Sequence, residues 1–318
     1  MSRFRRERPG LLALALGTVL ALTPAASAAA PAGERVAAQE PITPLPAAPS
    51  ANPLRVQLGE RLFHDRRLSA RGDRACASCH DLATNGADPR PKGVAPTGGR
   101  AVMDTLTVFN AALSFRLDWA GTFPTLKAQA EGSIRNPQIM GGSPEQAVQK
   151  LRADPSVTAA FREAYGHPPD AEDLLDAIAA FERSLLTPDS RFDAWLKGDQ
   201  DALSERERRG YDLFKTVGCV SCHQGRSVGA NLFQRHGIFH PLASPEPAVL
   251  RVPSLRNVAV TPPYFHDGSA ATLEDAVRAM GRAQLNRNLS DSQVSDIAAF
   301  LKTLTGQYRG RALTAPKR

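Results

Sequence analysis

Two copies of the motif Cys-x-x-Cys-His contain all four cysteines of this 318-residue chain. They comprise Cys76, Cys79 and His80 in the first copy and Cys219, Cys222 and His223 in the second. Two thiols at this spacing can add to the two vinyl groups of one haem, and the histidine that follows can ligate its iron. A zinc site would need further ligands beside each pair, and a redox-active dithiol does not require the histidine. The motifs therefore predict two covalently bound haem c groups.

An N-terminal export signal indicates where such a protein matures. Four arginines lie within the first eight residues, an apolar run extends from Leu11 to Leu22, and an Ala-Ser-Ala cleavage site ends at Ala28. The apolar run of twelve residues is too short to span a bilayer. We therefore predict a signal peptide over residues 1–28, no transmembrane anchor after its cleavage, and a periplasmic location.

The segment after the signal and the charge of the mature chain restrict the function further. Residues 29–52 are rich in alanine and proline, which predicts a flexible leader that packs no core. The formal net charge of +7 includes +3 from the signal peptide, so the remainder carries +4. The basic residues form no stripe interleaved with aromatic residues, and this distribution argues against nucleic-acid binding.

An internal duplication divides the rest of the chain. Each haem motif follows a Gly-x-x-Leu-Phe sequence, and each half closes with the helical sequence Ile-Ala-Ala-Phe-x-x-x-Leu. The matched positions are Gly59 and Gly210, Asn110 and Asn257, Gly121 and Gly268, and Phe181 and Phe300. We predict an all-α fold of two tandem c-type cytochrome domains, residues 53–198 and 199–318, each wrapping one haem.

The same duplication predicts that the two irons differ. Met280 lies where its thioether could ligate the second haem, and the register-matched residue of the first half is Ser133. His/Met ligation raises the haem potential and leaves no open position, which suits electron transfer, whereas serine is not a useful haem ligand. The pattern indicates a closed haem at His223 and Met280, and a haem with an open position at His80. A core methionine is the alternative interpretation of Met280.

Several motifs together resemble the bacterial diheme cytochrome c peroxidases and the MauG-type diheme oxidases. The resemblance extends from about Leu54 to Gly306. It rests on Thr107-Val108-Phe109-Asn110, Trp119-x-Gly121, Leu126-x-x-Gln129-Ala130, Ser190-Arg191-Phe192-Asp193, the sequence of residues 252–257 and the sequence of residues 263–268. It implies that hydrogen peroxide binds at the N-terminal haem. It also implies that a small periplasmic cytochrome c or copper protein donates electrons to the C-terminal haem.

The resemblance implies roles for individual side chains. His80 and His223 would be the proximal iron ligands, and Met280 would be the distal ligand of the second haem. Trp119 would lie between the haems on the electron route, although ordinary packing is the alternative for this residue. Gln129 would face the peroxide pocket.

The resemblance further implies a calcium ion at the domain interface and a homodimer. The ion would be held near Asp104, Thr261 and Pro263 by one carboxylate and backbone oxygens, which are ligands that a hard cation accepts. Family members usually carry asparagine at the position of Asp104, so this site is less specific than the haem motifs.

Two departures from the family pattern affect the chemistry. Family peroxidases carry a glutamate in an Asn-Pro-x-Glu-Met sequence, and here that position is Ile139, which cannot transfer a proton. Glu131 is the nearby acid that could substitute. The loop histidine that blocks the first haem in resting family members aligns with Pro96, which predicts an open site in the oxidised enzyme.

Three functions fit these observations. The leading prediction is a periplasmic cytochrome-c peroxidase-like oxidoreductase that reduces hydrogen peroxide to water. The second is a MauG-like oxidase acting on a partner protein or small molecule, although MauG has tyrosine where this chain has Met280. The third is a diheme electron carrier without peroxidase activity.

Overall fold

Nine α-helices are the main regular elements of the computed structural model, which describes residues 40–88 and 103–316. These residues belong to one compact unit. The helices are α1 (Pro53–Phe63), α2 (Leu126–Arg135), α3 (Pro144–Arg152), α4 (Pro155–Tyr165), α5 (Ala171–Ser184), α6 (Arg191–Leu196), α7 (Glu205–Thr216), α8 (Leu273–Leu285) and α9 (Asp291–Lys302). Within residues 40–88 and 103–316, no helix is long and apolar enough to cross a membrane.

Side-chain caps explain where the helices begin. The Ser204 hydroxyl accepts the Glu207 N–H at the start of α7, and the Glu207 carboxylate accepts the Ser204 N–H at 2.8 Å. The Asn52 side chain accepts the Leu54 N–H at the start of α1, with proline at the first helical position. These contacts satisfy N–H groups that lack a partner within the helix, so the second domain begins with a locally encoded helix.

Each half is built on a close helix crossing through a glycine. A Cβ atom at Gly59 in α1 would overlap the carbonyl oxygen of Ala177 in α5. A Cβ atom at Gly210 in α7 would overlap the carbonyl oxygen of Asp296 in α9 in the same way. The two matched glycines therefore allow two matched helix pairs to approach backbone to backbone.

A buried hydrogen-bond network joins the halves at Thr187. The Asn110 amide donates to the Thr187 hydroxyl oxygen at 2.8 Å, and the Asn257 amide donates to the same oxygen at 3.0 Å. Both asparagines have left-handed backbone conformations, with φ of 61° and 65°. All three residues are buried. The matched asparagines of the duplication therefore meet at one point between the domains.

The prediction that residues 29–52 pack no core is wrong for residues 40–45. Ile42 is fully buried in the core of the second half, and Leu45 is 5% exposed. The Thr43 carbonyl accepts a hydrogen bond from Arg256 at 2.9 Å, and the Tyr211 hydroxyl donates to Glu40 at 2.7 Å. The high alanine and proline content of the whole segment conceals these few anchoring residues.

Two short hairpins were not predicted. Strand β1 (Phe233–Arg235) pairs antiparallel with β2 (Val249–Arg251), and β3 (Gln307–Tyr308) pairs antiparallel with β4 (Arg311–Ala312). Strands of two or three residues are too short to show a period-two pattern in the sequence. Both hairpins lie outside the helices, and the predicted all-α class is unchanged.

We expect Gly59→Ala to lower the free energy of unfolding by about 3 kcal/mol, because the new methyl group overpacks a backbone contact. Gly72→Ala is the matched control, because a Cβ atom there meets nothing within 4 Å although φ is +68°. The control should lose only about 1 kcal/mol. Guanidinium unfolding of the haem-loaded proteins measures both values, and equal losses would contradict the role of Gly59 in the helix crossing.

Candidate functional site

The second haem motif places a neutral imidazole in the protein interior. Residues 219–221 form one turn of 3₁₀ helix, and His223 follows at 8% exposure. Its Nδ1 donates to the carbonyl oxygen of Val228 at 3.4 Å. Burial lowers the pKa of His223 to about 4. The ring is therefore uncharged at neutral pH, with Nε2 as the nitrogen that can bind iron.

The first haem motif repeats this arrangement. His80 Nδ1 donates to the carbonyl oxygen of Gly86 at 3.0 Å, and burial lowers the pKa of this ring as well. A phenylalanine from the preceding helix lies beside each ring. The centroid distance is 6.4 Å between Phe63 and His80, and 6.3 Å between Phe214 and His223. Each half therefore orients its histidine with one carbonyl and one aromatic ring.

The residues of the second half fit a covalent haem. Cys219, Cys222, His223 and Met280 all line one largely apolar cavity between α7, α8 and α9. Burial raises the pKa of the Cys219 thiol to about 12, and the pKa of Cys76 in the first motif rises to about the same value for the same main reason. The structure thus brings the predicted methionine to the cavity that holds the second motif.

Trp119 belongs to the first half of the chain but lines this same cavity. Its indole N–H donates to the backbone oxygen of Asp104 at 2.8 Å, which fixes the ring plane. The ring centroid lies 6.2 Å from that of His266. His266 is 3% exposed, and within the described chain its Nε2 has no hydrogen-bond partner. An aromatic side chain of one domain therefore borders the candidate haem site of the other.

The three residues predicted to hold calcium all line that cavity. The Thr261 hydroxyl already donates to the carbonyl of Val258 at 3.1 Å, and the Asp104 backbone oxygen accepts the Trp119 indole. Pro263 follows a cis peptide bond. The calcium site at Asp104, Thr261 and Pro263 stays a prediction.

The residues predicted for the peroxide pocket separate into two groups. Gln129 and Ser133 lie one turn apart on α2, and the Gln129 amide donates to the Ser133 hydroxyl at 2.9 Å. Glu131 instead pairs with Arg135 at 2.8 Å, with 42% of its side chain exposed. The structure therefore does not bring Glu131 to Gln129. Ile139 is 41% exposed, and Pro96 lies outside the described residues.

Glu182 on α5 is a buried carboxyl group that the sequence analysis missed. It is 6% exposed, and its Oε2 has no hydrogen-bond partner in the part of the chain that the structure describes. Burial raises the pKa of Glu182 to about 8. Its charge also contributes to the raised pKa of Cys76. The matched residue of the second half is Leu301, which lines the cavity that contains Met280. Aligning the two repeats would therefore have shown a carboxyl group in one half where the other half has leucine.

Comparison with known proteins identifies the family. A family model for di-haem cytochrome c peroxidase matches residues 53–201, and one for cytochrome c matches residues 207–305. The chain is 42% identical over 286 residues to the cytochrome c551 peroxidase of Nitrosomonas europaea, covering 85% of this chain and 86% of that protein. The chain belongs to the di-haem cytochrome c peroxidase family.

The chain is also similar, at lower identity, to MauG proteins. The methylamine utilization protein MauG of Methylorubrum extorquens is 31% identical, over 85% of this chain and 83% of that protein. A solved MauG-like protein associated with microbial copper homeostasis superimposes with a TM-score of 0.71 at 28% identity, over 83% of this chain and 93% of that chain. These findings confirm the predicted family, the fold and the peroxidase enzyme class, and the family implies two haem c groups. The predicted domain boundaries at residues 52 and 198 stay predictions.

We expect the raised pKa of Glu182 to make the stability of this peroxidase pH-dependent. The folded protein retains a proton up to about pH 8 that the unfolded chain releases near pH 4.5, so stability falls as pH rises through this window. Glu182→Gln should remove that loss and be more stable than wild type at pH 8 by on the order of 3 kcal/mol.

Guanidinium unfolding between pH 4.5 and 8 measures this difference. The exposed substitution Glu163→Gln is the control and should leave the wild-type pH profile unchanged. Parallel profiles for wild type and Glu182→Gln would show that Glu182 carries no raised pKa.

Proposed function

We propose that this protein is a periplasmic enzyme that reduces hydrogen peroxide to water with electrons from a small cytochrome c or copper protein. The two haem groups supply the redox chemistry when they are bound. The observation that carries the proposal is an asymmetry: His223 and Met280 line one cavity, whereas the matched position of the first half is Ser133. Two unlike sites on one repeated scaffold suit separate tasks of electron entry and peroxide reduction.

The second half is the proposed point of electron entry. The neutral imidazole of His223 and the thioether of Met280 would both hold the haem iron, and His/Met ligation of this kind suits electron transfer rather than peroxide binding. The Val228 carbonyl holds the imidazole in the tautomer that leaves Nε2 available. Met280 therefore acts as a ligand in this proposal and not as a core residue.

Trp119 is the proposed link between the two sites. Its hydrogen bond to Asp104 orients a large aromatic ring at the boundary between the halves, where it borders the second cavity. A fixed ring at this position shortens the through-space gap that an electron would cross. A packed indole N–H usually finds a hydrogen-bond partner, so this bond fits ordinary packing as well as the proposed link.

The first half is the proposed peroxide site. His80 would be the proximal ligand, and Gln129 would orient peroxide on the opposite side. Because the Gln129 amide N–H donates to Ser133, its carbonyl oxygen remains as an acceptor for a peroxide O–H. Ile139 holds the position of the family glutamate and transfers no proton, and Glu131 is engaged by Arg135. We therefore expect slow peroxide turnover.

A MauG-like oxidase is the second candidate. The replacement of the proton-transferring glutamate by Ile139 does not separate it from a peroxidase, because both functions cleave the O–O bond of peroxide. The similarity to MauG and to a MauG-like structure is consistent with this function. Met280 argues against it, because a thioether ligand would leave no open position at the second haem iron, and MauG has tyrosine at this place. The third candidate, a carrier without peroxidase activity, predicts no turnover at all.

Restoring the missing acid tests the proposed peroxide site. Ile139→Glu should raise the rate of peroxide-dependent oxidation of a reduced donor cytochrome by at least about tenfold, because a general acid-base group typically contributes this much or more. Because Ile139 is 41% exposed, a carboxyl group at this position keeps part of its hydration. Ile139→Gln is the control, because it has similar polarity but transfers no proton.

Absence of acceleration in a folded variant with two haems would contradict this account of Ile139. Glu131→Gln then separates the remaining explanations. A sharp loss of rate in that variant would identify Glu131 as the acid, and no response to either substitution would point away from peroxidase function. Oxidation of a candidate partner protein without turnover of the donor would favour the MauG-like alternative.

A further inference from the structure

A basic and apolar surface covers the outer side of the helix that carries Met280. Arg278 and Arg282 lie one turn apart on the exposed side of α8, and Arg287 follows the helix. All three arginines line one surface cleft. We call these residues, together with Ile238 and Phe239 beside them, the α8 surface.

The α8 surface carries an excess of positive charge. Arg278 pairs with Asp291 at 2.9 Å. Within residues 40–88 and 103–316, no ion pair engages Arg282 or Arg287. One carboxylate, that of Asp275, lines the cleft, and it accepts a hydrogen bond from the Thr272 hydroxyl at 2.6 Å. The arginines therefore outnumber the acids, and at least two of them are available to a negatively charged partner.

The apolar part of the α8 surface is held rigidly against the helix. Ile238 and Phe239 are 48% and 55% exposed, which is high for large apolar side chains. The Phe239 N–H donates to the Ala283 carbonyl at 2.9 Å, and the Ile238 N–H donates to the Gln284 side-chain oxygen at 3.0 Å. These bonds keep both side chains at the surface beside the arginines.

This surface is continuous with the candidate electron-entry site. Ile238 lines the same cavity as Met280 and His223. Ala279 and Ala283 lie on either side of Met280 along α8 and line the surface cleft. A protein bound to the α8 surface would therefore be separated from the second haem site by about the thickness of one helix.

We propose that the α8 surface docks the electron donor and that it selects a donor with an acidic rim around an apolar centre. The inference rests on the proposed function, since it assigns the partner of the electron-entry site. Exposed apolar side chains lose water on contact, and the arginines attract and orient an acidic partner before contact. Each docking event delivers one electron. Two electrons and two protons cleave the O–O bond of one hydrogen peroxide and form two waters.

Charge reversal at the two arginines without carboxylate partners tests the docking surface. The variant combines Arg282→Glu with Arg287→Glu, and the probe is reduced plastocyanin, an acidic copper protein. The KM for plastocyanin should rise by at least about fivefold, with kcat changed less than about twofold. Added salt should raise the KM of the wild type, because screening weakens attraction between exposed charges, and should not raise that of the variant.

Two further variants separate charge from apolar contact. Phe239→Ser should raise the KM for plastocyanin while the salt dependence stays as in wild type. Arg162→Glu is the matched control, because it reverses an exposed arginine on α4 in the first half. It should leave the KM within about twofold of wild type.

Peroxide can reoxidise pre-reduced enzyme without a donor. The rate of this reaction should be the same in the wild type, the double arginine variant, Phe239→Ser and Arg162→Glu. Loss of this reaction in the wild type would contradict the proposed function, and its presence keeps the two tests separate. An unchanged plastocyanin KM in the double variant would overturn the docking proposal. Arginine-dependent binding to phosphatidylglycerol vesicles, with no effect on plastocyanin, would also overturn it by assigning the surface to a membrane.

Discussion

The two glycine-mediated helix crossings are the constraint on which the other features depend. Because Gly59 and Gly210 carry no side chain, α1 lies directly against α5 and α7 lies directly against α9. Each crossing places a phenylalanine beside the histidine of the adjacent haem motif. A bulkier residue would separate the helices and displace that aromatic contact. The position of each motif histidine therefore depends on a backbone contact between two helices of its half.

The repeated scaffold carries unlike residues at matched positions. Met280 corresponds to Ser133, and Leu301 corresponds to Glu182. The Thr187 junction holds both copies in a fixed relation through one shared hydroxyl group. The two halves thus share one framework and differ in the side chains that the proposed division of tasks uses.

Features encoded in short segments could be predicted from the sequence, and features that depend on distant contacts could not. The haem motifs and the repeat are local patterns, and the structure contains both. The burial of Ile42 depends on a surface formed by residues 150 or more positions away. By contrast, the pairing of Glu131 with Arg135 is a local i,i+4 contact within α2, which the sequence contained and the prediction for Glu131 did not use.

The central claim is that the two haems are held differently, one closed and one open. Cyanide titration of the oxidised protein, followed by near-infrared magnetic circular dichroism, tests it most directly. The account predicts that one equivalent of cyanide binds without prior reduction, while the sulfur-to-iron charge-transfer band of the Met280 haem persists. Binding of two equivalents, or absence of that band before cyanide is added, would contradict the account.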